Sequence, residues 1–79
     1  MSKYYTDVIV YYNDGDIAKC VDVILEFGRE SMEGIAKGFT DNRGIAMIGH
    51  NSTGIASLTV EGKRIDSFKV PGRLVVYIS

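Results

Sequence analysis

The chain has 79 residues, of which 46% are hydrophobic, and a formal net charge of −1. This length allows one domain with a thin core, so we predict a single domain over residues 1–79. The basic residues form no cluster, and no apolar run reaches the roughly 20 residues of a membrane span, so neither nucleic acid nor membrane is an expected partner.

The cysteine content and the first residues bear on cofactors and compartment. Cys20 is the only cysteine, which excludes an internal disulfide and a cysteine-based zinc site. We predict that it is a small side chain at the start of a strand, and we expect no metal and no cofactor. Residues 1–12 lack the apolar segment of a signal peptide. The compartment therefore stays open, and it is extracellular if the chain is a segment of a surface protein.

The first strand is predicted over residues 5–12. Thr6, Val8, Val10 and Tyr12 alternate with Tyr5, Asp7, Ile9 and Tyr11, and this period of two indicates a strand. The strand ends at residues 13–16, Asn-Asp-Gly-Asp, all of which are favoured in turns.

Residues 16–28 allow two interpretations. With a period of 3.6, Ile17, Val21 and Ile24 share one stripe of a helix, and Asp16 suits its N-cap. With a period of two, residues 21–27 form a strand in which β-branched and aromatic residues are favoured. We predict the strand, because it keeps Gly28 out of a helix interior, where glycine costs about 1 kcal/mol relative to alanine. The alternative is an α+β fold with a helix at 16–28 packed on an antiparallel sheet.

The tripeptide Gly-Ile-Ala occurs three times at ten-residue spacing, beginning at Gly34, Gly44 and Gly54. Each glycine ends a predicted turn, where a left-handed backbone is often needed. Each Ile-Ala begins a predicted strand, at residues 35–39, 45–48 and 55–60. Three copies with divergent intervening segments are too few for a solenoid, so we interpret them as strand starts in a meander.

Two further strands are predicted at residues 64–70 and 73–78. Pro71-Gly72 between them suits the central positions of a type II turn. Short strands with turns at near ten-residue spacing predict an all-β sandwich or barrel. Its predicted core consists of the inward-facing apolar residues Val8, Val10, Val21, Val23, Leu25, Phe27, Ala46, Ile48, Ala56, Leu58, Val60, Phe68, Val70, Leu74 and Val76.

The middle of the chain carries a pattern found in a known family. That pattern is a strand, then Gly-x-Ala-x-x-x-Thr-Asp-x-x-Gly-x-x-x-Ile, then a strand with Leu-x-Val. The matching residues here are Gly34, Ala36, Thr40, Asp41, Gly44, Ile48, Leu58 and Val60. Over about residues 6–78 the chain thus resembles the prealbumin-like sandwiches, meaning the carboxypeptidase regulatory-like and collagen-binding B-type domains. The resemblance implies a seven-stranded Greek-key β-sandwich.

One activity and one cross-link found in that superfamily are not implied for this chain. The hydroxyisourate hydrolases need several histidines and end in Tyr-Arg-Gly-Ser, whereas this chain has only His50 and ends in Val-Tyr-Ile-Ser79. The isopeptide-stapled domains need a lysine in the first strand and an asparagine or aspartate in the last, and this chain has neither. We therefore expect that the chain is not an enzyme.

Antiparallel strands would bring four acidic residues to one end of the sandwich. Carboxylates of this kind are ligands that Ca²⁺ prefers, but aspartate in turns mostly serves the backbone geometry. We therefore predict turn chemistry and no metal site for Asp14, Asp16, Asp41 and Glu61.

The opposite end would hold His50 beside Ser52, near Arg29 and Glu30. No carboxylate at a recognisable spacing orients His50, and no nucleophile elbow is present. We therefore predict a solvated loop histidine, and a hydrolase centred on His50 is the least favoured hypothesis.

Five tyrosines stand out in this short chain. If the first and last strands are neighbours, Tyr5, Tyr11 and Tyr77 form one exposed aromatic face. Tyrosine supplies apolar area together with a hydroxyl, so such a face is a candidate site for a protein or a carbohydrate. The alternative is ordinary cross-strand stabilisation.

The predicted function is that of a non-catalytic accessory module, either a scaffold or a binding module for a protein or carbohydrate. The alternative is a small virus- or phage-encoded protein that docks on a partner protein or self-assembles. The segment Leu-Val-Val-Tyr-Ile at residues 74–78 bears on this choice. If it forms an edge strand, it is prone to pair with another chain and to form a homo-oligomer.

Overall fold

The computed structural model describes residues 2–28 and 33–79, and within them the chain forms strands and no helix. The all-β prediction is confirmed. The seven strands are β1 (Tyr4–Tyr12), β2 (Asp22–Phe27), β3 (Ile35–Phe39), β4 (Ile45–His50), β5 (Gly54–Val60), β6 (Lys63–Val70) and β7 (Arg73–Ile78).

The helix considered for residues 16–28 is wrong, because this segment contains strand β2 and no helical turn. Asp22–Phe27 is a strand with sheet neighbours on both sides, and Ile17 makes an isolated antiparallel bridge to Tyr11. Cys20, predicted as a small side chain at a strand start, lies just before β2, has a φ of 56° and is exposed. The segment forms a strand although its apolar residues also fit a helical period, because a central position in the sheet buries Val23, Leu25 and Phe27.

The strands form two sheets with the orders β4-β1-β7 and β3-β2-β5-β6. In the first, β1 is antiparallel to β4 and parallel to β7, so the first and last strands are neighbours. All pairs in the second sheet are antiparallel. The ladder of β5 and β6 shifts register between Leu58 and Thr59.

One hydrophobic core cluster takes residues from both sheets. The predicted core is confirmed except for Phe68, which is only partly buried on the edge strand β6 and packs against the cluster. Ala18 and Ala36 are buried in addition. The three buried polar side chains among the described residues are Thr6, Thr40 and His50.

The Gly-Ile-Ala tripeptides are strand starts, as predicted. Gly34, Gly44 and Gly54 have φ values of 72°, 76° and 116°. After each glycine the isoleucine points outward, and the alanines at 36, 46 and 56 are buried. The repeat therefore places a small side chain in the core at the start of three strands.

The connection between β6 and β7 differs from the predicted type II turn. The Val70–Pro71 peptide bond is cis, and Gly72 does not have the positive φ that the third position of such a turn requires.

Candidate functional site

The end of the molecule that carries the acidic loops is built by turn geometry. The Asp14 carboxylate accepts a hydrogen bond from the backbone N–H of Asp16 at 2.9 Å. Asp41 Oδ1 accepts from the N–H groups of Arg43 and Ile45, at 2.8 and 3.1 Å. Across residues 2–28 and 33–79, no three histidine, cysteine or acidic side chains lie close enough to hold a metal ion.

The fold alters the ionisation of Asp41. The backbone N–H of Ile45 and then that of Arg43 donate to its carboxylate, and these bonds lower the pKa of Asp41 below its ordinary value of 3.8. The Arg43 guanidinium adds a smaller effect, with a nitrogen 3.3 Å from Oδ2. The charge of Asp41 therefore serves the turn before β4.

Thr40 is a buried residue whose role the sequence did not suggest. Its hydroxyl donates to the carbonyl of Ala18 at 2.6 Å and accepts from the N–H of Val21 at 3.0 Å. Its backbone bonds Cys20 and Val21 as well. The Thr-Asp pair of the family-like motif thus connects the segment before β2 to the turn before β4.

His50 lies at the opposite end and is fully buried, so its prediction as a solvated loop residue is wrong. The signal was present in the sequence, because His50 continues the inward alternation of Ala46 and Ile48 along β4. Its ring packs against Phe27, with centroids 5.4 Å apart, and against Tyr4, with centroids 6.1 Å apart.

Both ring nitrogens of His50 are hydrogen-bonded within the protein. Nδ1 lies 2.7 Å from the carbonyl oxygen of Ser52, which can only accept, so Nδ1 carries a proton. Nε2 lies 2.7 Å from the hydroxyl of Thr6, which can donate to it in the neutral ring. His50 therefore holds the loop between β4 and β5 against β1. The hydrogen bond of His50 to Ser52 is made to the backbone carbonyl and not to the side-chain hydroxyl.

Glu33 completes this end of the molecule. One of its carboxylate oxygens accepts from the N–H of Ser52 at 2.8 Å and also from that of Asn51. The Asn51 side chain in turn accepts from the N–H of Lys3 at 3.0 Å. Arg29 and Glu30, expected near His50, lie outside the described residues.

The tyrosines predicted to form an aromatic face lie on a different surface. The side chains on the outer side of the β4-β1-β7 sheet are largely apolar, and we call this surface the outer apolar face. Its members are Tyr5, Ile9, Tyr11, Ile45, Met47, Val75 and Tyr77.

The register places these side chains in cross-strand rows. Ile9 stands between Ile45 and Val75. In the next row the rings of Tyr11 and Tyr77 are stacked, with centroids 5.6 Å apart. Tyr5 lies on the same face six residues from Tyr11, which is about 20 Å along a strand. It packs near Gly49, where an added Cβ would lie 3.2 Å from the Tyr5 ring.

The structure therefore brings Tyr11 and Tyr77 together and leaves Tyr5 at the far end of the same face. Aliphatic side chains fill the distance between them, and the sequence reasoning missed their contribution. Met47 and Val75 are 67% and 51% exposed, comparable to Tyr77 at 60%. Their outward positions in the period-two pattern were the available signal.

The outer side of the other sheet has a different character. Each exposed apolar residue there has a charged cross-strand partner. Phe39 pairs with Asp22, Ile35 with Glu26 and Ile55 with Lys69. The two outer surfaces of the molecule thus differ in charge as well as in aromatic content.

Strand β7 forms one edge of its sheet. Beside it, a cleft of about 240 Å³ separates β7 from the start of β6. Tyr77 and Ile78 line one side of this cleft, and Val60, Lys63 and Ile65 line the other.

Comparison with known proteins adds no assignment, since no family model, no curated protein sequence and no solved structure matches the chain. Among the described residues there is also no helix with the length and apolarity needed to cross a membrane.

Proposed function

We propose that the chain is a non-catalytic accessory module that binds a protein partner through the outer apolar face. The observation that carries this proposal is the exposure of large apolar side chains side by side on one sheet. Tyr5, Met47 and Tyr77 are each more than half exposed. Contiguous apolar surface of this kind on a small protein marks an interaction site.

The charge pattern supports the choice of this face over the opposite one. On the outer apolar face the charged side chains are Asp7 and Arg73, which are register partners of opposite sign. A partner that covers this pair meets little net charge. On the other sheet, burial of Ile35, Phe39 or Ile55 would also desolvate a charged neighbour, which is costly.

The composition of the face favours a protein over a carbohydrate. Sugars bind to aromatic rings whose flat faces are open, whereas Tyr11 and Tyr77 stack on each other. Most of the remaining apolar area comes from isoleucine, valine and methionine. Aromatic residues together with methionine are enriched in protein–protein interfaces.

A non-catalytic role fits the geometry of the candidate base. A general base must reach the proton that it abstracts, directly or through one water. His50 has no exposed surface, and both its nitrogens serve Thr6 and Ser52.

The fold proposed with this function is a prealbumin-like Greek-key sandwich. The strand order supports it, because β4 returns to lie beside β1 after β2 and β3 have formed in the other sheet. Self-assembly is the second candidate function, and the position of β7 at the edge of its sheet is the observation that favours it.

The proposal is tested with a photo-cross-linking amino acid placed on one face at a time. Met47 and Phe39 are 67% and 68% exposed on opposite faces, which makes them a matched pair. In the cells that naturally produce the chain, p-benzoylphenylalanine at position 47 is expected to form a discrete adduct with one protein. The same residue at position 39 is the control and is expected to form none.

The affinity of variants for this partner then tests whether the outer apolar face is the binding surface. For the partner identified at position 47, Met47→Lys is expected to weaken binding about tenfold or more, as for an exposed apolar side chain that the partner buries. Ile55→Lys, on the opposite face, is expected to leave the affinity unchanged. Equal adducts at both positions, or adducts at neither, contradict the proposal.

A further inference from the structure

The four edge strands of the two sheets differ in how they are protected. An unprotected edge presents free backbone N–H and C=O groups that pair with another chain. Edge β6 carries charges at Lys63, Arg64, Asp66 and Lys69. Charged side chains of this kind oppose pairing with another strand.

Strands β3 and β4 cover one another. A Cβ added at Gly38 of β3 would lie 3.1 Å from the Ile48 side chain and 3.8 Å from the carbonyl oxygen of Met47 in β4. Among the described residues β7 has neither protection. Arg73 is its only charged residue, β1 is its only hydrogen-bonded neighbour, and the cleft separates its end at Tyr77 and Ile78 from the start of β6.

The hydrogen bonds to β1 determine which backbone groups of β7 remain at the edge. The N–H of Asp7 bonds the carbonyl of Gly72, and the N–H of Asn13 bonds that of Ile78. Backbone groups alternate in direction along a strand, so the even-numbered residues of β7 point toward β1. The N–H and C=O groups of Arg73, Val75 and Tyr77 therefore point away from β1, to the open edge.

We propose that two copies of this chain pair through β7, antiparallel, about a two-fold axis that passes between the Val75 residues. In this register Val75 faces Val75 of the other copy, and Arg73 faces Tyr77. Each facing pair exchanges two N–H···O bonds, so every outward backbone group of Arg73, Val75 and Tyr77 is used.

Neighbouring registers satisfy fewer of these groups. A shift by two residues in one direction places Tyr77 opposite Pro71, which has no N–H to donate. A shift in the other direction places Arg73 opposite Ser79, beyond the end of β7 at Ile78. The register about Val75 is the one that keeps all three pairs within the strand.

The side chains are complementary in the same register. Identical charges do not face each other, because the guanidinium of Arg73 lies across from the ring of Tyr77, an attractive cation–π arrangement. Leu74 and Val76, buried in each copy, face one another on the inner side. The result is a six-stranded sheet that joins the outer apolar faces of two copies into one surface.

This inference specifies the interface of the second candidate function, self-assembly, and it does not depend on whether the outer apolar face binds another protein. Its test is a charge swap at Val75 of the full chain, followed by sedimentation velocity over a range of concentrations. Val75→Lys places two lysines opposite each other, and Val75→Glu places two glutamates. Each is expected to weaken dimerisation about tenfold or more, because like charges directly opposite destabilise a strand pair.

Mixing the two variants is the decisive step. The mixture is expected to restore a heterodimer of about wild-type affinity, since Lys and Glu then face each other. Ile55→Lys is the control and leaves the dimer intact. In the wild type, the amides of Arg73, Val75 and Tyr77 are expected to exchange hydrogen more slowly as the concentration rises.

Two results would overturn the inference. The first is a wild-type chain that stays monomeric up to millimolar concentration. The second is a dimer that both Val75 variants retain, with no concentration-dependent protection of the Val75 amide, because that dimer would use another surface. Circular dichroism of each variant confirms that its strands have formed.

Discussion

At the residue level, Thr40 concentrates several contacts in one buried side chain. Its hydroxyl donates to Ala18 and accepts from Val21. Both partners are main-chain groups of the segment that leads into β2. Without this hydroxyl, the carbonyl of Ala18 and the N–H of Val21 would be buried without the hydrogen bonds that water gives them in the unfolded chain. Leaving such groups unpaired costs more free energy than the hydrogen bond itself contributes.

We predict that Thr40→Val destabilises the chain by about 1–3 kcal/mol, because it preserves the shape of the side chain and removes the hydroxyl. Thr40→Ser is the matched control, since it keeps the hydroxyl and loses one methyl group, for about 0.8 kcal/mol. Urea unfolding followed by circular dichroism measures both. A valine variant no less stable than the serine variant would contradict this role for Thr40.

Gly44 has a tighter environment than any other glycine of the Gly-Ile-Ala series. A Cβ there would lie 2.6 Å from Cγ2 of Ile17 and 2.9 Å from the carbonyl oxygen of Val10. Gly62 has nearly the same φ, 79° against 76°, but nothing within 4 Å of such a Cβ. The two positions separate the cost of backbone conformation from that of collision.

Gly62→Ala is predicted to cost about 1–2 kcal/mol, the penalty of an L-residue in the left-handed region. Gly44→Ala adds the collision with Ile17 and Val10, and we expect a further 1–3 kcal/mol or so, as for an overpacked site. Thermal and urea unfolding of the two variants measure the difference. An equal loss of stability in the two variants would contradict the predicted collision with Ile17 and Val10.

At the level of the elements, the turn between β3 and β4 depends on the ionised form of Asp41. Two backbone N–H groups donate to its carboxylate and hold the pKa of Asp41 below 3.8. The folded state therefore binds a proton less readily than the unfolded state. The stabilisation is complete above the ordinary pKa and is lost as the pH falls through the folded pKa.

Asp41→Asn tests this pH dependence, because the amide oxygen can still accept both hydrogen bonds but does not ionise. The stability advantage of the wild type over the variant is expected to be constant near neutral pH and to shrink as the pH falls below 3.8. Urea unfolding at a series of pH values measures it, and an NMR titration gives the pKa of Asp41 directly. A pKa at or above 3.8 would be inconsistent with the two backbone bonds.

Strands within one sheet also differ in what surrounds them. Strand β1 has hydrogen-bonded neighbours on both sides, whereas β7 has β1 alone. The period-two pattern of the sequence is similar in both, with buried residues alternating with exposed ones. Pattern alone thus identifies a half-buried strand but does not distinguish a central position from an edge.

At the scale of the whole molecule, one core serves two sheets whose outer surfaces differ. The β3-β2-β5-β6 sheet places a charge beside each exposed apolar residue, and the β4-β1-β7 sheet groups its apolar residues together. Pairing through β7 would extend the grouped surface across two copies. The proposed binding face and the proposed dimer edge are therefore adjacent parts of one sheet.

The sequence by itself determined the strands, most of the core and the positions of the turns. These features depend on local chemistry. Alternation at Val8 and Val10, glycine before each Ile-Ala, and turn residues at Asn13 and Asp41 all act within a few residues of chain. Phe68 is the exception, because its strand lies at an edge and the core does not close over it.

Only the tertiary structure decided which strands are neighbours, and through that it decided the candidate sites. The pairing of β1 with β7 stacks Tyr11 on Tyr77, and the pairing of β1 with β4 brings Thr6 to His50. These contacts join residues more than 40 positions apart in the chain, a separation over which no local pattern carries information. The alternation along β4 indicates that His50 faces inward, but its hydrogen bond to Thr6 depends on the pairing of β1 with β4, which no pattern around His50 predicts.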